Sequence, residues 1–387
     1  MRAAYRLGFA APLLCALAHC GGCDSVPKDA VTNCEVTTIL AAPVRTDILF
    51  VIDDSGSMHD EQENLATSFH AFVERLASSP VENEFQIGVT TTSVDWPESQ
   101  VDGSVVIHEE DDNGQPYTDG ALVAAEGRST LLQAGSQTLV EDFDANVNVG
   151  TAGSPKEQGF RAALLAVTDR IADRSNAGLL RPGARLAIII VSDEDDCSDL
   201  ASPPAVIFPN RSDGCHTDDE QARLPAVTDF VSALQAQLAG EARDVLVAVI
   251  GAVDPDTKEP EACSDQAWPA RRYNTFIDAL GTQQGFIDSV CQSDFSDTLR
   301  VIAGLIDPGQ TVDLTETPAD PRLLAVQLTR ADGTQVACPV AVGGASDAAA
   351  GAVYVAPQAG ESAKLTFQGD CELRQGDQIN VQLLCAD

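Results

Sequence analysis

Three oxygen-bearing side chains, Asp53, Ser55 and Ser57, stand at alternate positions of one short loop. Between the two serines, Gly56 permits a tight backbone turn. One carboxylate and two neutral hydroxyls suit Mg²⁺, which prefers octahedral oxygen coordination, keeps several waters and needs few carboxylates. Because hydroxyls do not cancel the charge of the ion, its positive field remains available to an anionic ligand. The loop therefore predicts a site for Mg²⁺, with Mn²⁺ or Ca²⁺ as alternatives.

The segments on either side place this loop at the edge of a sheet. Ile48 to Ile52 form an uninterrupted apolar run, which is typical of a strand covered on both faces. From His59 to Ala77, apolar residues recur at helical spacing and predict an amphipathic helix. The loop thus follows the carboxyl end of a central strand, where open α/β sheets bind their ligands. The alternative is a turn whose Asp and Ser side chains only cap the helix.

The pattern Asp53-x-Ser55-x-Ser57 after a buried strand resembles the metal-ion-dependent adhesion site of von Willebrand factor type A domains. The resemblance implies that Ser55 and Ser57 bind the metal directly and that Asp53 acts largely through water. It also implies a third direct ligand, a threonine in a later loop. Thr151 matches that position, and Ser154 is the competing residue, although Ser154 also looks like the cap of the following helix.

A second aspartate of the family site is expected at the end of another buried strand. The strand Arg185 to Ser192 leads into four successive acidic residues, of which Asp193 matches that aspartate. The family normally has a glycine next, where this chain has Glu194. The acidic run from Asp193 to Asp196 either binds a second cation, such as Ca²⁺, or has only Asp193 pointing inward while the others are solvated. We expect the second arrangement.

Alternating strands and helices predict an α/β fold with a doubly wound, mostly parallel sheet, similar to the Rossmann-like fold of type A domains. This domain is expected over residues 44–307, with an inserted hairpin at about 95–130. Residues 311–387 lack a convincing helix and contain several short apolar segments, so they predict a small β-sandwich-like domain. Residues 24–43 are expected to be a linker.

The amino end looks like an export signal over residues 1–23, with an apolar run from Leu7 to Ala18 that is too short to span a bilayer. Cys20 resembles the lipidated cysteine of a bacterial lipoprotein, and Cys23 is the alternative; simple cleavage to a secreted protein is the other possibility. We therefore expect an exported protein, either an envelope or outer-membrane lipoprotein with a lipid anchor or a secreted one.

The 11 cysteines of an exported chain favour disulfide bonds over metal thiolates. Proximity in the sequence suggests Cys197 with Cys215 and Cys263 with Cys291. The sequence leaves the pairing of the remaining downstream cysteines open, namely Cys34, Cys338, Cys371 and Cys385.

The net charge of −36 argues against nucleic acid and anionic membrane surfaces as partners. No nucleophile elbow or aspartyl-phosphate motif accompanies Ser55, and the chain has 5 histidines, so we expect no enzymatic activity. The resemblance implies a metal-dependent adhesion module that binds an Asp or Glu of a protein partner. The alternative is an envelope scaffold in which the metal only stabilises the loop, and a metal-dependent hydrolase ranks below it.

Overall fold

The computed structural model describes residues 33–40, 44–79, 83–111, 113–200, 206–207, 215, 217–239, 243–263, 267–281, 284–307, 310–314, 317–342, 351–357, 363–374 and 377–384. The predicted export signal, Cys20, Cys23 and Cys385 lie outside these residues. None of the helices in these ranges combines the length and the apolar character needed to cross a membrane.

The first described strand, β1 (Asn33–Leu40), precedes a mixed α/β domain. The strands of that domain are β2 (Val44–Ile52), β3 (Asn83–Thr91), β4 (Trp96–Ser99), β5 (Val105–His108), β6 (Leu131–Gln133), β7 (Arg185–Val191), β8 (Val245–Gly251) and β9 (Gly285–Ser289). Its helices are α1 (His59–Ala77), α2 (Leu139–Val147), α3 (Gly159–Val167), α4 (Asp169–Ala172), α5 (Asp218–Gln221), α6 (Val227–Ala239), α7 (Arg271–Leu280) and α8 (Ser296–Ile306).

Six of these strands form one mixed sheet in the order β6-β3-β2-β7-β8-β9. The pairs from β3 to β9 are parallel, and β6 runs antiparallel to β3 at the edge. Strand β2, which carries the candidate site at its end, lies between β3 and β7. Its apolar run is buried on both sides, as its sequence predicts. The parallel pairing brings the carboxyl ends of β2, β3 and β7 to one edge of the sheet.

Alternate residues of β2 contribute to two separate apolar cores, one on each face of the sheet. Phe50 packs edge-on against Phe69, Phe72 and Phe143, so α1 and α2 cover its face together with α8. Leu49 and Val51 point to the opposite face, where α3, α6 and α7 supply the apolar partners. This burial of large apolar side chains is the main stabilising term of the domain.

At the other end of β2, a buried carboxylate anchors three segments. Asp47 accepts hydrogen bonds from Arg181 Nε at 2.7 Å, from Arg243 Nη1 at 3.1 Å and from Gln86 Nε2 at 3.0 Å. Arg181 also donates to the backbone oxygens of Thr46 and Glu84. The network fixes the amino end of β2, far along the strand from Asp53.

The remaining strands form a β-domain of two four-stranded sheets. They are β10 (Thr311–Asp313), β11 (Leu324–Thr329), β12 (Gln335–Cys338), β13 (Val340–Val342), β14 (Gly351–Val355), β15 (Lys364–Gln368) and β16 (Gln378–Leu384). One sheet has the order β1-β16-β11-β12 and the other β10-β15-β14-β13. Both contribute to one apolar core, and a disulfide joins Cys338 to Cys371. The arrangement is that of a β-sandwich.

Two expectations from the sequence are wrong. Residues 33–40 are not a linker, because they form β1 and pair antiparallel with β16 at the far end of the chain. The β-domain therefore takes strands from both sides of the α/β domain. The helix expected to start at Ser154 begins instead at Gly159, because the preceding residues Lys156, Glu157 and Gln158 enter the interior before the helix starts.

Candidate metal site

The backbone and the carboxylate of Asp53 are fixed at the point where β2 ends. Its N–H donates to the Val191 carbonyl at 2.9 Å, which continues the ladder between β2 and β7. Its carboxylate accepts the N–H of Ser55 at 2.8 Å and the hydroxyl of Ser192 at 2.5 Å. Asp53 is fully buried. The aspartate therefore sets the conformation of the loop that carries the two serines.

The structure brings Ser55, Ser57 and Asp193 together. The two serine hydroxyls lie 3.3 Å apart, and Ser57 Oγ donates to Asp193 Oδ1 at 3.1 Å. Asp193 follows β7, so its carboxylate reaches the loop from the neighbouring strand. Two hydroxyls and a carboxylate thus converge from two loops, as the resemblance implies.

Hydrogen bonds join the loop that carries Thr151 to the loop that follows β2. Gln62 Nε2 bridges the carbonyls of Asp53 and Gly150, at 3.0 and 2.9 Å, and the N–H of Gly153 donates to the Asp54 carbonyl at 2.8 Å. A Cβ on Gly153 would lie 2.4 Å from the Asp54 side chain, so only glycine permits this approach.

Thr151 lies between these two anchors and is exposed. Together with Asp54 it lines an open cavity of about 390 Å³ beside the metal-site loop. Within the described residues, its hydroxyl makes no hydrogen bond to Ser55, Ser57 or Asp193. Thr151 is therefore placed in the adjoining loop but outside the hydrogen-bonded group.

Ser154 does not fit the role of a metal ligand. Its buried hydroxyl donates to the Asp95 carbonyl at 3.2 Å and accepts the N–H of Lys156 at 3.1 Å. Its own N–H donates to Ser93 Oγ at 2.7 Å. These bonds occupy the side chain and fix the turn that leads toward α3.

A buried carboxylate that the sequence does not predict as a site residue, Glu157, interacts with Asp53 and Glu194. Glu157 is buried, and within the described residues no N–H or hydroxyl group donates to its carboxylate oxygens, whose neighbour is instead the carboxyl group of Glu194. Burial, and then the negative charges of Glu194 and Asp53, hold the pKa of Glu157 well above its ordinary value. Glu157 lies three residues after Ser154, so the sequence predicts that it caps the following helix. This prediction gives no sign that Glu157 interacts with the site.

Carboxyl groups are thus concentrated around the two hydroxyls. Burial, followed by the charges of Asp193 and Glu194, raises the pKa of Asp53 well above its ordinary value. Burial raises the pKa of Asp193 to about 7, and the charge of Glu194 contributes to the shift. Buried carboxylates that raise one another's pKa need protons or a cation to balance their negative charge.

The donor set fits a hard divalent cation. All of the grouped atoms are oxygens, they include neutral hydroxyls, and the nearby Asp53 interacts electrostatically with the buried carboxyl group of Glu157. Ser55, Ser57 and Asp193 are the residues that would hold the ion, with Asp53 and Thr151 beside them. A bound divalent cation would supply a positive charge to which an acidic group of a ligand can coordinate.

Asp195 and Asp196 of the acidic run have a structural role, and the expectation that they are solvated is wrong. Asp195 accepts the N–H of Arg272 at 2.9 Å, in the first turn of α7. Asp196 accepts the N–H of Phe160 at 3.0 Å, in the first turn of α3, and forms an ion pair with Arg272 Nε at 3.2 Å. The two carboxylates therefore satisfy free N–H groups at two helix amino ends. Their oxygens are used by protein donors, which leaves no second cation site at these two residues.

The structure pairs Cys197 with Cys215 and Cys263 with Cys291, the same two pairs that proximity in the sequence suggests. The Cys197–Cys215 bond packs with Trp96 and Tyr117 in a small apolar cluster beside the site. Three disulfides within the described residues are consistent with an exported protein.

No protein-family model matches this chain, and no curated protein sequence does either. In structure, the chain is similar to the pilus adhesin SpaC of Lactobacillus rhamnosus GG in its open conformation, at 10% identity and a TM-score of 0.39, with 89% of this chain and 38% of SpaC covered. It is also similar to proximal thread matrix protein 1 from the mussel byssus, at 13% identity and a TM-score of 0.34, with coverage of 72% and 51%. A third similar structure is the human COPII-coat protein Sec24c, at 12% identity and a TM-score of 0.37, with coverage of 91% and 47%.

This chain spans about half or less of the length of each of these three proteins. With TM-scores this low, the likenesses carry no argument about fold or activity.

Proposed function

We propose that residues 44–307 form a von Willebrand factor type A domain with a doubly wound sheet, and that its metal-ion-dependent adhesion site binds Mg²⁺. The contact between Ser57 and Asp193, with Ser55 alongside, is the observation that carries this proposal. Asp193 lies 136 positions from Ser57 in the sequence, and all three residues belong to the pattern that the family uses. Helices on both faces of the β2-centred sheet support the fold assignment.

In this proposal, the protein is a binding module exposed outside the cytoplasm, as an envelope lipoprotein or a secreted protein. An Asp or Glu of a partner protein completes the coordination of the metal. The chain's own charge of −36 opposes an acidic partner at long range. Salt confines that repulsion to about 8 Å, whereas coordination acts at about 2 Å, so direct contact prevails once the partner is in place.

Isothermal titration calorimetry of the folded protein with MgCl₂ and MnCl₂ tests the metal site. We expect one saturable binding event in the wild type and its loss in a Ser55→Ala/Ser57→Ala double variant. Pull-down from envelope or matrix extracts, with and without EDTA, tests the ligand. Capture that continues unchanged in chelator contradicts a metal-mediated contact.

The second candidate, a scaffold whose metal only stabilises the loop, is favoured by the buried carboxyl group of Glu157, whose neighbour is the carboxyl group of Glu194. A cation would relieve the repulsion among the buried carboxylates without any external ligand. The two functions differ in one result. A scaffold gains thermal stability from Mg²⁺ but captures no partner in a Mg²⁺-dependent way.

A further inference from the structure

The cavity of about 390 Å³ beside the metal-site loop opens between two walls. Residues 148–153 and the end of α2 form the inner wall, and residues 115–118 and 123–125 form the outer wall. The two walls are joined where the N–H of Ala125 donates to Asn146 Oδ1 at 2.9 Å. Asp54, which follows β2, lines the cavity together with Thr91 at the end of β3. The volume lies in the range of pockets that bind ligands.

Backbone hydrogen bonds hold both walls in place. In the outer wall, the N–H of Tyr117 donates to the Glu109 carbonyl at 2.9 Å, and the N–H of Val123 donates to the Val89 carbonyl of β3 at 2.8 Å. The inner wall is bonded to the loop after β2, as described above. The cavity is therefore formed before a ligand binds, which lowers the cost of ordering the protein on binding.

The cavity is acidic. Asp54 and Asp111 are its charged residues, and no lysine or arginine lines it within the described part of the chain. The carboxylate of Asp111 accepts the N–H groups of Asn113 and Gln115 at 2.8 and 2.7 Å, so it stabilises its own turn. Asp54 is partly exposed beside the metal-site loop. A cationic ligand therefore suits the cavity, with Asp54 as its counter-charge.

The surroundings of Asp54 favour an ammonium group over a guanidinium group. Asp54 Oδ1 accepts the hydroxyl of Ser93 at 2.7 Å, and a Cβ on Gly153 would lie 2.4 Å from the same oxygen, so this side of the carboxylate is enclosed. The fork of a guanidinium group pairs with both carboxylate oxygens at once. An ammonium group is a compact charge on a flexible stem and needs one of them. Lysine is therefore the side chain that fits.

The position of the cavity connects its ligand to the metal. Asp54 lies between Asp53 and Ser55 in the chain, and Thr151 lines the same cavity. In an extended segment, residues two positions apart point to the same face, and the chain rises about 3.3 Å per residue. A segment whose Asp or Glu coordinates the ion would therefore place a side chain over the cavity. A lysine there also offsets the repulsion between an acidic partner and the net charge of −36.

We propose that this cavity binds a lysine side chain of the partner protein, two residues from the Asp or Glu that coordinates the metal, with the ammonium group against Asp54. The inference rests on the proposed function, because it takes the ligand to be a protein that coordinates the metal. It identifies the partner's chemistry as an extended segment with an acidic residue and a lysine on the same face. Acidic segments without the lysine bind more weakly.

The test uses fluorescein-labelled peptides of glycine and serine that contain one aspartate, measured by fluorescence anisotropy with the whole protein in MgCl₂. Two peptides carry a lysine two residues before or two residues after the aspartate. Matched peptides carry norleucine at the same place, or the lysine six residues away. We expect one of the two close-lysine peptides to bind at least tenfold more tightly than both of its matched peptides. Equal binding of the norleucine peptide overturns the proposal, and so does equal binding of the distant-lysine peptide, which would show long-range attraction alone.

Protein variants locate the contact. Asp54→Asn removes the charge and keeps an oxygen that can accept the Ser93 hydroxyl, and we expect the lysine and norleucine peptides to bind this variant within about twofold of each other. Asp229→Asn removes the same charge from an exposed position on α6 and should keep the tenfold preference. An undiminished preference in folded Asp54→Asn overturns the proposal. If circular dichroism shows that Asp54→Asn does not fold, the peptide comparison with wild-type protein still decides the question.

Two further measurements separate a failure of this proposal from a failure of the metal site. Each titration is repeated in EDTA, and calorimetry measures Mg²⁺ uptake. Mg²⁺ uptake with equal binding of the lysine and norleucine peptides contradicts the lysine cavity alone. A lysine preference that persists in EDTA, without Mg²⁺ uptake, contradicts the metal site alone. No measurable binding of either close-lysine peptide in MgCl₂ overturns the proposal.

Discussion

Ser57 Oγ donates a hydrogen bond of 3.1 Å to Asp193 Oδ1, although the two residues lie 136 positions apart in the sequence. The bond joins the loop after β2 to the loop after β7. It holds a hydroxyl and a carboxylate at the distance at which both can contact one small cation. The consequences for metal affinity and for stability can be measured separately.

Ser57→Ala removes the hydroxyl that links the two loops. We expect Mg²⁺ affinity to fall at least tenfold, and the metal-free protein to lose about 1 kcal/mol in its free energy of unfolding. Calorimetry and urea unfolding in EDTA measure the two effects. Ser175→Ala is the matched control, because Ser175 also donates to an aspartate, Asp173, but at an exposed position. Unchanged Mg²⁺ affinity in Ser57→Ala would contradict the assignment.

Thr151→Val and Ser154→Ala distinguish the two candidates for the third hydroxyl ligand. Thr151 is exposed and has no hydrogen bond to the site residues, so we expect its replacement by valine to weaken Mg²⁺ binding without changing stability. Ser154 is buried and its hydroxyl is bonded, so alanine there should cost about 1 kcal/mol of stability and leave Mg²⁺ affinity unchanged. The opposite pattern would make Ser154 the ligand.

Glu157→Gln replaces a buried carboxylate, to which no N–H or hydroxyl of the described residues donates, by a neutral side chain of similar shape. At neutral pH in EDTA we expect the variant to be more stable than the wild type by about 1–3 kcal/mol. The reason is that the substitution removes a buried carboxyl group that the negative charges of Glu194 and Asp53 repel. Mg²⁺ affinity should fall, since less negative charge remains for the cation to balance. Thermal unfolding with and without Mg²⁺ gives both results, and a destabilised metal-free variant would contradict this account.

The pH dependence of the metal-free protein follows from Asp193. Its pKa of about 7 in the folded state lies above the ordinary value of about 3.9, so between these values the folded state binds more protons than the unfolded state. The stabilisation that comes from protonated Asp193 is therefore fully present below a pH of about 3.9, and it is lost as the pH rises to about 7. We expect a higher Tm in EDTA at about pH 5 than at about pH 8.

Asp193→Asn provides the control for this pH effect, because asparagine does not titrate. The variant should show a smaller difference in Tm between the two pH values. Saturating Mg²⁺ should also reduce the difference in the wild type, since the ion binds the deprotonated carboxylate and competes with the proton. A Tm in EDTA that rises with pH would be the contrary result.

Asp47→Ala tests the anchor at the amino end of β2. The substitution leaves Arg181 and Arg243 without their buried partner, and we expect a loss of about 3–5 kcal/mol in the free energy of unfolding. Mg²⁺ affinity of the folded fraction should not change, because Asp47 lies at the opposite end of the strand from Asp53. Asp320→Ala, which breaks an exposed pair with Arg322, is the control and should leave stability nearly unchanged.

The strands and the first helix could be predicted because their signals are local. The apolar runs that became β2 and β7 are buried on both faces, and α1 spans His59–Ala77 as its periodicity predicts. The short strand β6 and the helix α2 were not predicted, because their 3 and 9 residues are too few to show a clear hydrophobic periodicity.

The interior charges could not be predicted in the same way. Asp195 and Asp196 are buried because α7 and α3 present free N–H groups to them, and no local feature of an acidic run reveals donors more than thirty residues away. Glu157 is buried together with its neighbours Lys156 and Gln158, because the whole segment before α3 lies in the interior. Charged residues are ordinarily exposed, so the sequence favoured solvated positions for Asp195 and Asp196, and it favoured a helix-capping role for Glu157.

The pairing of β1 with β16 determines when the β-domain can form during synthesis. An entire α/β domain is made between these two strands, and β1 joins its sheet only through β16. The α/β domain can fold first, and β1 remains unpaired until β16 has been made. The sheet β1-β16-β11-β12 is therefore completed last, by a long-range contact that spans nearly all of the described chain. We expect this step to be the slowest in folding.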